Sequence, residues 1–209
     1  MKDTVNAPSL ALIADIGGTN ARFALTDLSA PVAQVLEPRS LDASQFASLQ
    51  HAAEHYLADS GVKPRSAAIA VASPVNGEEI RLTNRAWSFT RRELQRALRL
   101  DALHVLNDFG AVAWSVPALG ANESITLHGD DDAPLQGPVS VLGPGTGLGV
   151  AMLVGHDDPG RGRHWQVVET EGGHVSFAPL GDEELNIARW FSARFGRVSN
   201  ERLLCGSAF

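Results

Sequence analysis

Three short stretches hold the residues whose types and spacing could do chemistry. Asp15 closes an apolar run and is followed by Gly17-Gly18-Thr19-Asn20, Gly145-Thr146-Gly147 interrupts a second apolar run, and Asn107-Asp108 ends a third. Glycines allow close backbone approach, so successive N–H groups can converge on an anion, and Thr19 and Thr146 add hydroxyl donors. Each turn by itself reads equally as a hairpin corner; two of them in repeated contexts favour phosphate. Neither is a Walker loop, because Gly-Lys-Ser/Thr is absent, and in "GPGTGLG" the third glycine falls one position short of the dinucleotide fingerprint. A carboxylate beside a phosphate site needs a cation. With only Lys2 and Lys63 as lysines, Asp15 fits an outer partner of Mg²⁺, which keeps several waters and takes few carboxylates. Its plainer role is a strand-end residue satisfying turn amides.

Asp108 lies at the carboxyl end of a buried strand, the ligand-facing edge of an α/β sheet. A lone Asp there also serves as a turn former or helix cap. "DFG" at 108–110 suggests a protein kinase, but neither a His-Arg-Asp loop nor a Val-Ala-Ile-Lys strand accompanies it. Glu169, Glu171, His164 and His174 could suggest a metal cluster, yet their spacing is loose and no HExxH occurs.

Elements that could position these groups follow from periodicity. "SLALIADI", "ARFALTDL", "VAQVLEP", "SAAIAVASPV", "IRLTN" and "ALHVLNDF" read as strands. Phe46, Leu49, Ala53 and Leu57 fall at helical spacing between Asp42 and Ser60, ahead of Gly61. Thr90 and Glu93 form a capping box before Leu94, Ala97 and Leu98. The polar stretch 120–138, with "GDDDAP" inside it, reads as a solvated loop after a boundary near Pro117. "VSVLGPGTGLGVAMLV" then repeats the strand–turn–strand grammar of the N-terminus; setting Thr146 on Thr19 superposes Gly145 on Gly18 and Ala151 on Ala24. Residues 182–196 read as a helix with Leu185, Ala188, Phe191 and Phe195 on one face, and Ser199 caps another. The expected organisation is an α/β lobe over 1–117 and a second over 118–209.

Bulk properties narrow the partners. The 209 residues are 44% hydrophobic and 20% charged, an ordinary globular composition. A net charge of −7 argues against a general nucleic-acid binder. The single Cys205 excludes an intramolecular disulfide framework and a cysteine-rich zinc site, and fits a reducing cytoplasm. The N-terminal apolar stretch is interrupted too early, at Asp15, for a signal peptide or membrane span.

Taken together, "DIGGTNARFAL", "TNRAWSF", "LNDF", "GPGTGLGVA", "EGGHVSFAP" and "SNERLLCG" resemble, in order, the segments of the bacterial glucokinase family. The resemblance spans nearly the whole chain. It implies the two-lobed actin-like ATPase (ribonuclease H-like) α/β fold and ATP-dependent phosphorylation of glucose, with Mg²⁺, in the cytoplasm, commonly by a homodimer. It makes Asp108 the general base for the sugar's 6-hydroxyl, and Asn107, Glu171, His174 and Glu201 partners of the other hydroxyls. It makes Ala14, Asp15, Ile16, Gly17, Gly18 and Thr19 contacts of the ATP phosphates, closed upon by Gly145, Thr146 and Gly147. Family members continue past the segment matching "ERLLCG", so the expectation is an N-terminal portion with an incomplete second lobe and no adenine-contacting segment. An apolar face of the 182–196 helix should then be exposed. The competing expectation is a sugar-binding remnant without turnover. Without a helix-turn-helix before the first strand, a sugar-responsive repressor fits poorly.

Overall fold

The apolar run Leu10–Ile16 (β1) and the alternating run Asn20–Asp27 (β2) pair as an antiparallel hairpin. Strand β3 (Leu36–Asp42) adds antiparallel to β2. The helix α1 (Leu49–Ser60) leads to β4 (Ser66–Val71), which joins β1 in parallel. A two-stranded ribbon, β5 (Glu79–Arg81) and β6 (Ser88–Thr90), precedes α2 (Arg91–Ala97). Strand β7 (Ala102–Asn107) then pairs in parallel with β4, giving a sheet of order β3-β2-β1-β4-β7, and runs directly into α3 (Asp108–Ser115). The computed structural model describes residues 9–75, 77–82, 86–120, 122–130, 134–160 and 162–206. The chain divides into two units, Met1–Ala111 and Val112–Phe209.

The core of the first unit forms where β1, β2 and β4 present Leu12, Ile16, Phe23, Leu25, Ile69 and Val71 to Leu49, Ala52, Ala53 and Tyr56 of α1. Phe23 stacks on Tyr56 with ring centroids 5.5 Å apart. Each buried Leu, Ile, Val or Phe side chain among these stabilises the unit by roughly 1.5–3 kcal/mol. In the second unit β8 (Val139–Pro144), β9 (Leu148–Asp158) and β10 (Gly162–Thr170) form an antiparallel sheet of order β10-β9-β8. A 3-10 turn at Gly172–His174, helix α4 (Gly181–Phe195) and helix α5 (Asn200–Leu204) follow. Both units mix strands and helices, the α/β class the resemblance implies.

The structure corrects several local expectations. The third strand is Leu36–Asp42 rather than Val32–Pro38: pairing with β2 runs from Asn20↔Asp42 to Leu25↔Leu36, past a bulge. Leu36 and Leu41 pack on the core while Val32 and Val35 are both 66% exposed, so ladder register overrides the local apolar count. The helix expected from Asp42 begins at Leu49. Asp42 caps a 3-10 turn (Ala43–Gln45) by accepting from Ser44 N–H, and Trp87 Nε1–H holds the Phe46 carbonyl at 3.2 Å outside the helix. Ser48 is the cap of α1, and Gly61 ends it in the left-handed region at φ 69°. Phe109 belongs to α3, not to β7. Strand β10 has no counterpart among the expected elements, because its "GRHWQVVET" is largely polar and none of its residues is buried. Of "TNRAWSF", Thr83, Asn84 and Arg85 lie outside the described residues, as do Asp131, Asp132 and Ala133 of the acidic run and residues 207–209.

Candidate active site

In the first unit the parallel strands decide what meets. Ile16 pairs with Val71, and Val71 with Asn107, so the ends of β1, β4 and β7 form one row. The Gly17-Gly18-Thr19 turn and Asp108 therefore leave the same carboxyl edge, two strand spacings or about 10 Å apart. The turn is closed by Gly17 N–H on the Asn20 carbonyl at 2.9 Å, and the Thr19 carbonyl accepts from Ala43 N–H at 3.0 Å. Ala14 packs against the core and Ile16 is fully buried within it. Any phosphate contact from these two must come through the main chain.

Asp15 sits opposite Arg22 in the β1–β2 ladder, and the pair forms an ion pair of 2.7 Å. Both side chains are about half exposed, the regime in which an ion pair contributes at most ~1 kcal/mol. An arginine on the neighbouring strand thus already stands beside Asp15, whose carboxylate bonds to that group rather than to turn amides. Hairpin register would have revealed Arg22, because residues paired across a short loop follow from counting outward. Asp15 and Arg22 also border an open groove of about 540 Å³ on the sheet, lined by Ile13, Ala24, Val35 and Ala70.

Asn107 and Asp108 divide their roles at the start of α3. Asn107 Oδ1 accepts from Phe109 N–H at 3.0 Å and Gly110 N–H at 3.4 Å, the work of an N-cap, while its amide donates to the Ser73 carbonyl at 3.3 Å. Asp108 is the first helical residue. Its Oδ1 accepts from Phe109 N–H at 2.8 Å, and among the described residues its Oδ2 has no protein partner. The helix N-terminus favours a negative charge at that position. An acceptor is thereby fixed in direction with one oxygen available to a ligand hydroxyl. Ser73, buried and tied to Asn107, carried no signal in the sequence; only the row of strand ends brings it there.

The second unit assembles Glu171, His174 and Glu201. His174 Nε2 lies 3.5 Å from Glu171 Oε2 and Nδ1 lies 3.4 Å from Glu201 Oε1, so one imidazole stands between two carboxylates. The 171–174 turn lies tight against β9. A Cβ on Gly173 would overlap the Leu148 carbonyl, and one on Gly172 would come within 2.9 Å of Val150 Cγ1. Close approach, not backbone conformation, requires these glycines. At the second glycine turn neither Gly145 nor Gly147 has positive φ, and of the two only Gly147 is crowded, by the Glu201 carboxylate. Its three residues join β8 to β9, with Gly145 N–H on the Gly147 carbonyl at 2.7 Å.

The two glycine hairpins share topology with an offset. The last ladder pairs are Ile16↔Ala21 and Pro144↔Leu148. Superposing Thr146 on Thr19 would instead pair Gly143 with Leu148, one residue out of register. Among the described residues no three His, Cys, Asp or Glu side chains converge as ligands of a metal ion, and His164 instead lies 3.9 Å from Asp158. Also among the described residues, no helix is long and apolar enough to cross a membrane.

Comparison with known proteins adds a family to this geometry. The family model described as Glucokinase matches residues 12–209. The glucokinase of Chromobacterium violaceum is 43% identical over 197 residues, covering 94% of this chain and 54% of that protein. A crystal structure of glucokinase from an Antarctic psychrotroph superposes with a TM-score of 0.82 at 34% identity, over 95% of this chain and 61% of that one. The glucokinase of Balamuthia mandrillaris in complex with glucose superposes with a TM-score of 0.70 at 25% identity, over 98% and 61% respectively. The chain thus spans between 54% and 61% of the length of these relatives.

Proposed function

The chain belongs to the glucokinase family, and from that membership we propose that it transfers the terminal phosphoryl group of ATP to the 6-hydroxyl of glucose. The observation that carries this reading is the row Ile16–Val71–Asn107, which sets a glycine turn and an oriented carboxylate on one edge of the sheet. Phosphoryl transfer asks little of a protein beyond position and charge. Asp108 Oδ2 accepts the proton of the 6-hydroxyl as its oxygen attacks. Asn107 holds that carboxylate's helix in place and lies beside it for a neighbouring hydroxyl. Glu171, His174 and Glu201 suit the other hydroxyls of a sugar, because carboxylates accept from them and an imidazole does either. The main chain from Ala14 to Thr19 binds phosphate oxygens from the first lobe (1–117), and Gly145, Thr146 and Gly147 do so from the second (118–209).

The donor set for Mg²⁺ is a single carboxylate, Asp15, already beside Arg22. That fits an ion held chiefly by water and ATP phosphates. Bound there, the ion would neutralise charge developing on the phosphoryl oxygens, with Asp15 orienting a coordinated water. The product, glucose 6-phosphate, begins glycolysis, and the proposal places the reaction in the cytoplasm, in a homodimer. Light scattering on the eluted chain checks the dimer.

The decisive measurement is a coupled assay of this chain with glucose and MgATP. Turnover is expected, and Asp108→Asn is expected to lower kcat by about 10³-fold while glucose still stabilises the fold. A folded chain with no turnover sinks the kinase reading; glucose-dependent stabilisation without turnover assigns sugar binding alone.

A further inference from the structure

Helix α5 grips the second glycine turn at both flanks. At its start, Glu201 Oε2 accepts from Leu148 N–H at 3.0 Å; just beyond its end, Gly206 N–H donates to the Gly145 carbonyl at 2.7 Å. The segment leading into that helix is stitched to the end of the 171–174 turn and the residue after it. Asn200 N–H donates to the Val175 carbonyl at 3.0 Å, and Arg197 Nη1 to the His174 carbonyl at 2.7 Å. Gly147 leaves room for this arrangement, since a Cβ there would stand 2.7 Å from Glu201 Oε2. The two oxygens of Glu201 therefore face different tasks: one holds the turn, the other faces His174.

We propose that Glu201 is a positioning residue that couples sugar occupancy of the Glu171–His174–Glu201 cluster to the order of the Gly145–Gly147 turn. A hydroxyl that donates to Oε1 fixes the carboxylate's rotation, and the rotation presents Oε2 to Leu148 N–H. Sugar binding thus prepares the turn for its anion before the anion arrives. The sugar half of this inference rests on the glucose reading above; the turn half does not.

The test is amide hydrogen exchange of the full chain, read by mass spectrometry over residues 143–150, with glucose binding followed separately by calorimetry. Without sugar, Glu201→Ala is expected to speed exchange at Leu148 about fivefold, the loss of one net hydrogen bond. Glu201→Gln keeps an oxygen acceptor and should restore protection. Exchange in the β9 segment 151–153 serves as the folding control, because global unfolding would raise it too. Saturating glucose should slow exchange at Leu148 about threefold or more in the native chain and have no effect there in Glu201→Ala. Unchanged exchange at Leu148 in sugar-free Glu201→Ala, or a Gln variant as unprotected as the Ala variant, overturns the positioning role. Glucose that binds in the calorimeter yet leaves Leu148 exchange unchanged overturns the coupling alone. Absence of glucose binding overturns the sugar reading and the coupling, while the sugar-free comparison still decides the turn.

Discussion

Tyr56 shows how a single residue reports on the first unit. Its ring is buried against Phe23, and its hydroxyl donates to the Glu37 carbonyl at 3.0 Å. Burial pushes the phenol above its ordinary value, with the Glu37 carboxylate adding to the rise and Arg39 opposing it. A folded-state pKa raised above the unfolded one contributes stability that is complete below about pH 10 and is lost as pH climbs through the folded value. Urea midpoints of the native chain should therefore fall as pH rises above about 10, and Tyr56→Phe should flatten that dependence. The variant should also lose about 1 kcal/mol at neutral pH, because the Glu37 carbonyl forfeits its donor. Asn107 teaches a related lesson at the candidate site. Its type and place beside Asp108 were legible, but its use as the cap of α3 depends on Ser73, which is 34 residues away in sequence. The Asp108→Asn assay accordingly separates chemistry from support, since an amide still accepts from Phe109 N–H while losing the capacity to take a proton.

Among the elements, caps were the most readable features. Thr90 accepts from Glu93 N–H and Ser199 from Arg202 N–H, both at 3.2 Å, as serine and threonine before a helical run require. Because α5 has five residues and carries Glu201 in its first turn, its cap bears directly on the site. Ser199→Ala should cost about 1 kcal/mol and raise the calorimetric Kd for glucose a few-fold. Thr90→Ala should cost a similar amount and leave that Kd unchanged, because its helix supports the first unit's core. Edge elements were less readable. The register of β3 follows from pairing with β2, and β10 is a polar strand whose place is fixed by pairing with β9 from Gly162↔Asp158 to Thr170↔Val150. Apolar periodicity says little about a strand that buries little.

For the whole molecule, the exposed side of α4 is the feature with consequences in solution. Of the apolar face expected at 182–196, Phe195 is 49% exposed but Phe191 is buried, and Trp190, outside that face, is 51% exposed. Exposed apolar surface of this kind binds hydrophobic dyes and promotes association. The double variant Trp190→Ser and Phe195→Ser should reduce anilinonaphthalene sulfonate fluorescence about twofold or more and lower light scattering at high concentration. Unchanged signals would place the apolar surface elsewhere.

Local sequence pattern carried much of the strand and helix alternation, two glycine turns that each join paired strands, the caps at Thr90 and Ser199, and the family. These rest on local period, backbone freedom and short-range hydrogen bonds, which residues a few positions apart specify together. Strand order and long-range contact decided that Ile16, Val71 and Asn107 end in one row and that α5 holds the Gly145–Gly147 turn from both sides. Those facts depend on strand order, ladder register and close approach between segments as many as 61 residues apart, counting from Gly145 to Gly206. No local pattern encodes such contacts, because they arise only when burial brings the segments together.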